Sequence, residues 1–337
     1  MNERIAILGA GSWGTALALL FGTTGRAVTL WARDTALVES IRTARVNTRY
    51  LPNFPLPPTV TLSADIAETV ASTDTLIWAV PSGAFREVTQ QVVPYLAPTT
   101  LLVSATKGLE EDTCLRMSQV LTEIIPEASE RTVVLSGPNL ALEMARGVPT
   151  AGVVASANLE AARRVQSLIS GLPEPTFRLY TGQDVVGVEL GGAVKNVIAI
   201  GAGICDGLGF GDNSKAGLVT RGLAETMRLG IALGAETATF LGLSGVGDLF
   251  ATTNSRLSRN YRVGLGLGQG KRLPDILHEL GQVAEGVPTT HVVCALSQRC
   301  GIEMPLCQAL YSVLFENRDA PQVIRELMLR PPKGEYS

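Results

Sequence analysis

The spacing of hydrophobic residues divides the chain into two parts that meet near residue 182. In the first part, short apolar runs alternate with helical segments, among them 35–46, which is typical of a parallel sheet covered by helices. This pattern predicts strands at 4–8, 28–32, 74–80, 99–106, 132–135, 152–155 and 177–180. After Gln183 helical periodicity continues to the end. We therefore expect a sheet domain over 1–182 and an all-α C-terminal domain over 183–337.

A glycine-rich turn follows the first predicted strand directly. Residues 9–14 read GAGSWG, in the pattern G-x-G-x-x-G, and a helical segment and a second strand come next. In this setting the glycines allow a tight turn close to a pyrophosphate, and the helix N-terminus attracts its negative charge. The first part is therefore predicted to be an α/β Rossmann-type domain that binds a dinucleotide, with Gly9, Gly11 and Gly14 at the phosphates.

The residue after the second strand bears on the choice of dinucleotide. Sites for NAD usually place Asp or Glu there, whereas this chain has Arg33 followed by Asp34. Arginine suits the 2′-phosphate of NADP, and Asp34 keeps NAD possible. We expect binding of NADP(H), NAD(H) or both, with Arg33 at the ribose; the alternative is a solvated charge at a strand end.

Three further strands end in residues suited to a ligand site, namely Pro81, Lys107 and Gly137. In open parallel sheets ligands bind outside the carboxyl ends of the strands. These positions should therefore converge with the glycine turn and Arg33 on one crevice. We expect Lys107 to contact the ligand there; the alternative is a charge at a strand end without a ligand. A proline-rich loop over 52–58 should cover a sheet edge or reach the second domain.

Residues 185–205 read VVGVELGGAVKNVIAIGAGIC, in which only Glu189 and Lys195 are charged. The pattern predicts a buried helix, although each of its five glycines costs about 1 kcal/mol relative to alanine. Such glycines let another backbone or a ligand come close. Burial lowers the pKa of a lysine towards neutrality, so Lys195 is a candidate for proton transfer. The alternative is a lysine whose ammonium extends to the surface.

Two other segments of the second half carry polar groups. Ser244–Leu249 ends a predicted helix with Asp248, and residues 201–217 form a predicted glycine-rich turn. Ser258, Arg259 and Asn260 offer a hydroxyl, a guanidinium and an amide, which suit the oxygens of a phosphate. The alternative for this triplet is a solvated basic loop.

Composition narrows the classes of function. A net charge of −3 with no long basic run argues against general nucleic-acid binding. The two histidines, His278 and His291, provide little material for a metal site or a Ser-His-Asp triad, and we expect no metal. Five cysteines without CxxC spacing indicate free thiols in a reducing compartment. We find neither a signal peptide nor an apolar run clean enough to span a bilayer, which predicts a soluble, cytoplasmic protein.

Several segments together resemble the NAD(P)-dependent glycerol-3-phosphate dehydrogenases of the bacterial type. They are GAGSWGTALA, SATKGLE, SGPNLALE, VELGGAVKNVIAIGAGICDGLGFGDNSKAGLVTRGLAE, SGVGDLFAT and SRN. The resemblance implies that Lys195 is the proton donor and acceptor, with Lys107 and Asp248 beside it. The implied substrate contacts are Lys107, Gly137, Asn139, Lys195, Asn196, Asp248, Ser258, Arg259 and Asn260. The implied cofactor contacts beyond the glycines are Ser12, Trp13, Arg33, Lys107, Ala141, Arg259, Val283 and Glu285.

One position departs from the family pattern. Where such enzymes usually read G-P-S/T-F-A, residues 137–141 read GPNLA, so an amide at Asn139 replaces a hydroxyl. The resemblance implies reversible reduction of dihydroxyacetone phosphate to sn-glycerol 3-phosphate, which supplies glycerophospholipid synthesis, by a homodimer. The alternatives are another two-domain NAD(P)-dependent reductase of hydroxy or keto acids, and a dinucleotide-sensing module without turnover. Dependence on a phosphorylated substrate separates the first alternative from the implied reaction.

Overall fold

The computed structural model describes residues 3–71, 73–169, 176–332 and 334–335. Within them the strands are β1 (Ile5–Leu8), β2 (Val28–Trp31), β3 (Val46–Asn47), β4 (Leu51–Pro55), β5 (Val60–Ser63), β6 (Thr75–Trp78), β7 (Leu101–Ser104), β8 (Thr132–Ser136), β9 (Thr150–Ala155) and β10 (Phe177–Gly182). The helices that accompany them are α1 (Ser12–Thr23), α2 (Thr35–Ala44), α3 (Ile66–Val70), α4 (Ser82–Val92), α5 (Met117–Ile124), α6 (Ala141–Ala145) and α7 (Leu159–Ser167).

The described residues that follow β10 form helices joined by turns and loops. Its helices are α8 (Val185–Gly207), α9 (Asp212–Ala232), α10 (Thr237–Phe240), α11 (Asp248–Thr253), α12 (Arg259–Gly268), α13 (Leu273–Leu280), α14 (Gly286–Cys300), α15 (Pro305–Phe315) and α16 (Ala320–Met328). A Rossmann-like sheet domain followed by a helical C-terminal domain is the fold class that the sequence predicts.

Eight strands form one sheet in the order β10-β9-β8-β7-β6-β1-β2-β5. The pairs are parallel except β8 with β9, so the predicted parallel sheet contains one antiparallel pair. Apolar runs report burial but carry no information on strand direction. Six strands still end at one edge of the sheet.

The proline-rich segment has more regular structure than the predicted loop. Strands β3 and β4 pair antiparallel as a small hairpin, and β5 adds an edge strand beside β2. Proline cannot donate to a ladder, and β4 tolerates Pro52 and Pro55 because it pairs with β3 alone. The hairpin lies beside the glycine turn, since the Asn47 amide donates to the Ala10 carbonyl at 2.9 Å.

Helix α8 forms the centre of the helical domain. Every residue from Gly187 to Cys205 is buried, and α9, α11, α12 and α14 pack around the helix. By length and composition α8 could cross a membrane, contrary to the expectation that no run would qualify. Most of it is covered by the protein itself, as in the core helix of a globular domain.

The glycines of α8 allow other backbones to come close, as the sequence predicts. A β-carbon at Gly191 would lie 2.5 Å from the Ser244 carbonyl oxygen, and one at Gly203 only 2.1 Å from that of Tyr261. The predicted glycine-rich turn is shorter than expected, because α8 continues to Gly207 and α9 begins at Asp212. Asp248 begins α11 after a tight turn, and so does not end a helix as predicted.

Candidate active site

The glycine turn after β1 has the geometry that a pyrophosphate needs. Gly9 has φ +111°, a conformation that L side chains rarely adopt. A β-carbon at Gly14 would lie 1.9 Å from the Gly9 carbonyl oxygen, whereas the space around Gly11 is open. No side chain caps the N-terminus of α1, so its N–H groups are available to an anion. The residues present therefore fit a bound dinucleotide.

Two side chains expected at the cofactor also hold the turn in place. The Ser12 hydroxyl donates to the Tyr50 carbonyl at 2.7 Å, and the Trp13 indole donates to the Ala105 carbonyl at 3.1 Å. Asn47 and Tyr50, which the sequence analysis missed, thus join the hairpin to the turn. Nothing in the sequence indicates that a polar residue will contact a turn more than thirty residues away along the chain.

Arg33 lies just beyond β2 with an exposed side chain, and it has no hydrogen bond or ion pair within the described residues. The neighbouring Asp34 is engaged, since one carboxylate oxygen accepts from the Leu37 N–H at 3.2 Å. The other lies 3.6 Å from the guanidinium of Arg49. The guanidinium available to a ligand at this strand end is therefore that of Arg33, while Asp34 caps α2.

A buried network of two lysines and one aspartate lies at the carboxyl end of β7. Lys195 on α8 donates to one oxygen of Asp248 and, at 2.7 Å, to the hydroxyl of Thr252. Lys107 donates to the other Asp248 oxygen at 2.7 Å. Lys195 is 7% exposed, which excludes the alternative that its ammonium extends to the surface. One carboxylate thus holds two ammonium groups at a single place.

Burial lowers the pKa of Lys195 to about 7, because removal of water disfavours its charged form. The negative charge of Asp248 raises this pKa in part, and the neighbouring Lys107 lowers it further. A lysine with a pKa near neutrality can give up and take back a proton under ordinary conditions. The direction of this pKa shift is the one that the sequence predicts from burial.

The loop after β8 completes the surroundings of Lys107, whose ammonium donates to the Gly137 carbonyl at 2.8 Å and to the Asn139 amide oxygen at 2.6 Å. Gly137 has φ +119°, and a β-carbon there would lie 2.9 Å from the Cα of Gly152. The Asn139 amide nitrogen is buried and has no partner within the described residues. This asparagine can therefore donate a hydrogen bond where the family pattern has a hydroxyl.

The triplet at the start of α12 divides into three roles. Ser258 caps the helix, accepting from the Tyr261 N–H at 3.2 Å. Asn260 is buried, donates to the Asn196 amide oxygen at 2.8 Å and accepts from the Gly286 N–H at 2.9 Å. Arg259 is exposed at the first position of the helix. The Arg259 guanidinium and the first N–H groups of the helix, which precede the capped N–H of Tyr261, are thus available to an anion, while Asn196 and Asn260 bind each other.

Glu285 connects the helical domain to the end of β6. Its carboxylate accepts from the Ser82 N–H at 3.0 Å and from the Ser82 hydroxyl at 2.5 Å. Burial raises the pKa of Glu285, whereas the contacts with Ser82 and the charge of Arg259 lower it in part. Glu285 and Arg259 therefore lie near each other, beside the segment with Pro81 that follows β6. Val283 is exposed, and Ala141 begins α6.

Besides Asn47 and Tyr50, the sequence did not reveal Thr252 and Ser82 as site residues. Thr252 could have been found, because it lies four residues after Asp248 and so shares its face of α11. Ser82 gives no such signal, since its partner lies 203 residues away. Within the ranges that the structure describes, no cluster of three or more His, Cys, Asp or Glu side chains could hold a metal ion.

Comparisons with known proteins place this geometry in a family. The model of the N-terminus of NAD-dependent glycerol-3-phosphate dehydrogenase matches residues 4–162, and the model of its C-terminus matches residues 184–325. A protein of Geobacter metallireducens described as glycerol-3-phosphate dehydrogenase [NAD(P)+] is 50% identical over 336 residues, which cover 99% of each chain. Similarity on this scale includes both domains.

Solved structures agree with the sequence comparison. The glycerol-3-phosphate dehydrogenase of Coxiella burnetii superposes with a TM-score of 0.92 at 39% identity, covering 98% of this chain and 99% of the other. A ketopantoate reductase of Ralstonia eutropha superposes with a TM-score of 0.60 at 16% identity, covering 97% of this chain and all of the other, which shows a common fold alone. The chain therefore belongs to the family of NAD-dependent glycerol-3-phosphate dehydrogenases.

Proposed function

We propose that this enzyme catalyses the reversible NAD(P)H-dependent reduction of dihydroxyacetone phosphate to sn-glycerol 3-phosphate. The observation that carries the proposal is the buried Lys195, held by the same Asp248 carboxylate as Lys107 at the carboxyl end of the sheet. This edge is the one at which the dinucleotide turn lies, so a cofactor and a small substrate can meet there.

The reaction adds a hydride to the carbonyl carbon and a proton to its oxygen. A bound reduced nicotinamide supplies the hydride. Lys195 in its ammonium form gives the proton to the developing alkoxide and recovers it in the reverse reaction. Lys107 adds positive charge beside the same oxygen, and Asp248 holds both ammonium groups in place. The Asn139 amide nitrogen provides a further donor at the substrate.

The phosphate of the substrate is held at the start of α12. Arg259 offers a fork of donors, and the free N–H groups of the helix N-terminus add to its positive field. The Ser258 hydroxyl accepts from the backbone and keeps its own proton for a phosphate oxygen. Asn260 and Asn196 keep α12 against α8, which fixes the distance from the phosphate to the carbonyl and aligns the substrate.

The cofactor side is completed by the glycine turn, Arg33 and Glu285. Arg33 is exposed and free to pair with a 2′-phosphate, which favours NADPH or the use of both cofactors. We expect Arg33→Ala to weaken the binding of NADPH much more than that of NADH, because only NADPH carries the 2′-phosphate. Equal losses for both cofactors, measured as the ratio of their KM values, would remove Arg33 from the 2′-phosphate site.

The test of the function is the loss of absorbance at 340 nm when the purified protein is mixed with NADPH or NADH and dihydroxyacetone phosphate. We expect rapid oxidation of NADPH or NADH, and we expect none when unphosphorylated dihydroxyacetone replaces dihydroxyacetone phosphate. Oxidation with a 2-keto acid and not with dihydroxyacetone phosphate would identify a reductase of the alternative class. Binding of NADPH or NADH that is not oxidised by any carbonyl compound would identify a dinucleotide sensor.

The cellular setting is part of the same proposal. Glycerol 3-phosphate made in this way supplies glycerophospholipid synthesis, and we place the enzyme in the cytoplasm. All five cysteines are free thiols, which supports a reducing compartment. We further propose domains over 1–182 and 183–337, and a homodimer. The apolar helices of the second half and the family resemblance support the dimer.

A further inference from the structure

A second buried carboxylate on α8 takes no part in the proton transfer described above. The side chain of Glu189 is only 3% exposed. Its carboxylate accepts from the Arg116 guanidinium at 2.6 Å, from the Ser118 N–H at 2.8 Å and from the Ser118 hydroxyl at 2.6 Å. Three such bonds to one charged group are a strong anchor, since bonds to an ionised acceptor are roughly twice as strong as neutral ones.

The partners of Glu189 belong to the sheet domain. Arg116 immediately precedes α5, and Ser118 lies in the first turn of this helix, whose positive end faces the carboxylate. Helix α5 packs with α4 on one face of the sheet, whereas α1 of the glycine turn packs on the other. The anchor therefore joins the helical domain to the sheet domain at a place remote from the pyrophosphate.

The anchored Glu189 lies on the same helix as Lys195. Six residues of helix separate the two side chains by about 9 Å along the axis, and they point about 120° apart around it. Glu189 is fixed to α5 on its side of α8, while Lys195 meets Asp248 and Lys107 on another. Contacts on two different sides fix both the axial position and the rotation of a helix.

The helix packs closely beside Lys195, so the position of α8 bears directly on the position of this lysine. A β-carbon at Gly192 would lie 2.6 Å from the Ser136 hydroxyl oxygen and 3.7 Å from Cγ of Lys107. The helix thus lies directly on the end of β8 and on Lys107. If α8 slid or rotated slightly, Lys195 would leave the oxygen that it protonates, and a misplacement of about 1 Å can reduce a rate about 10²-fold.

We propose that Glu189 is a positioning residue for the proton transfer, acting through Arg116 and Ser118. Its three hydrogen bonds set α8 on the sheet domain so that Lys195 reaches both Asp248 and the substrate oxygen. This inference rests on the proposed function for its kinetic consequence, but the position of Lys195 can be measured without turnover. The role differs from that of an ordinary buried carboxylate, which contributes to folding alone.

The chain provides a matched control in Glu225. This carboxylate is 2% exposed and accepts from the Leu306 N–H at 2.7 Å and the Cys307 N–H at 3.1 Å, at the start of α15. It therefore caps a helix as Glu189 does, but it joins α9 to α15 within the helical domain. Replacement of either residue by glutamine alters a buried carboxylate that accepts from N–H groups at the start of a helix.

The experiment compares Glu189→Gln with Glu225→Gln. We expect Glu189→Gln to lower kcat about 10-fold or more at saturating substrate, with the Kd of NADPH changed less than about threefold, because the glycine turn is remote. Glu225→Gln should lower the melting temperature and leave kcat within about twofold of the unmodified enzyme. Equal kcat values for the two variants after correction for the folded fraction would overturn the proposal.

A second measurement reads the position of Lys195 directly. The rate of acetylation of this lysine by acetic anhydride, followed by mass spectrometry as a function of pH, gives its apparent pKa. Since burial is the main cause of the low value, a displaced Lys195 is better hydrated, and its pKa should rise in Glu189→Gln but not in Glu225→Gln. An unchanged titration in Glu189→Gln contradicts the proposal even if the enzyme acts on another substrate.

Ser118→Ala serves if Glu189→Gln fails to fold. This variant removes one hydroxyl and keeps the charge pair with Arg116, so we expect a smaller fall in kcat of about threefold to tenfold, in the same direction. A folded Ser118→Ala with unchanged kcat and unchanged Lys195 titration would count against the proposal. Absence of any turnover by the unmodified protein would refute the proposed reaction, and the Lys195 titration would then decide the positioning role.

Discussion

At the scale of single residues, the rate of the reaction in each direction depends on the charge of Lys195. Burial lowers its pKa to about 7. Reduction needs the protonated form, so kcat/KM for dihydroxyacetone phosphate should fall as the pH rises through about 7. Oxidation needs the neutral form, so kcat/KM for glycerol 3-phosphate should rise over the same interval. Parallel pH profiles in the two directions would exclude this lysine as the titrating group.

The control for this pH dependence is Lys195→Ala. Loss of an acid–base group usually lowers turnover by about 10²-fold or more, and the residual activity should no longer change with pH near neutrality. Cofactor binding should persist, because the glycine turn does not depend on Lys195. Turnover close to that of the unmodified enzyme would take Lys195 out of the mechanism.

Arg259 provides a second prediction at this scale. We expect Arg259→Ala to raise the KM for dihydroxyacetone phosphate by about 10- to 100-fold, because a bond between charged groups contributes about 1.5–3 kcal/mol. Arg262→Ala is the matched control, since Arg262 is an exposed arginine on the same helix. Steady-state kinetics with both variants checks the assignment. A similar KM in the unmodified enzyme and in both variants would show that Arg259 does not bind the phosphate.

At the scale of elements, α8 shows why glycine is tolerated in a long helix. Its cost in helix propensity is offset where a backbone occupies the space of a side chain, as Tyr261 does beside Gly203. We expect Gly203→Ala to lower the free energy of unfolding by about 1–3 kcal/mol, because the added methyl group overlaps the backbone of α12. Denaturant unfolding of the purified variant measures this change.

Gly217→Ala is the control for helix propensity. Gly217 lies in α9, is exposed, and has nothing within 4 Å of the position of a β-carbon. Alanine there should raise the free energy of unfolding by up to about 1 kcal/mol. If Gly203→Ala proved as stable as Gly217→Ala, close packing of α12 against α8 would not explain the glycines.

At the scale of the whole molecule, the two domains meet through polar contacts as well as apolar ones. Glu285 reaches Ser82, Asp248 reaches Lys107, and Glu189 reaches Arg116. Each of these pairs joins the helical domain to the sheet domain. The site is therefore built at the junction and does not belong to either domain alone.

The proposed homodimer is tested at the same scale. Each chain has a mass of 35.6 kDa, so we expect sedimentation equilibrium to give about twice this value at micromolar concentration. The helical domain leaves large apolar side chains exposed, among them Leu241 and Phe250, and association would cover such surface. A mass of one chain at every concentration tested would contradict the dimer.

Much of the site was accessible from sequence because its signals are local. The glycine turn, the strand ends, and a charged residue within an apolar helix each depend on neighbours a few positions away. The direction of β9 was not accessible, because burial gives the same apolar run in either direction. The sequence did not predict the hairpin of β3 and β4, because the prolines of β4 favour a loop. The structure shows that β4 tolerates them in its short pairing with β3.

The sequence by itself determined the fold class, the dinucleotide turn and the candidate lysine, since these follow from composition and spacing along one segment. Only the tertiary structure decided that Asp248 holds Lys195 and Lys107 together and that Asn260 binds Asn196. It also decided that Glu189 is anchored to α5. These pairs are 53 to 141 residues apart, and such contacts exist only once the packing of α8 on the sheet has brought distant segments within hydrogen-bonding distance.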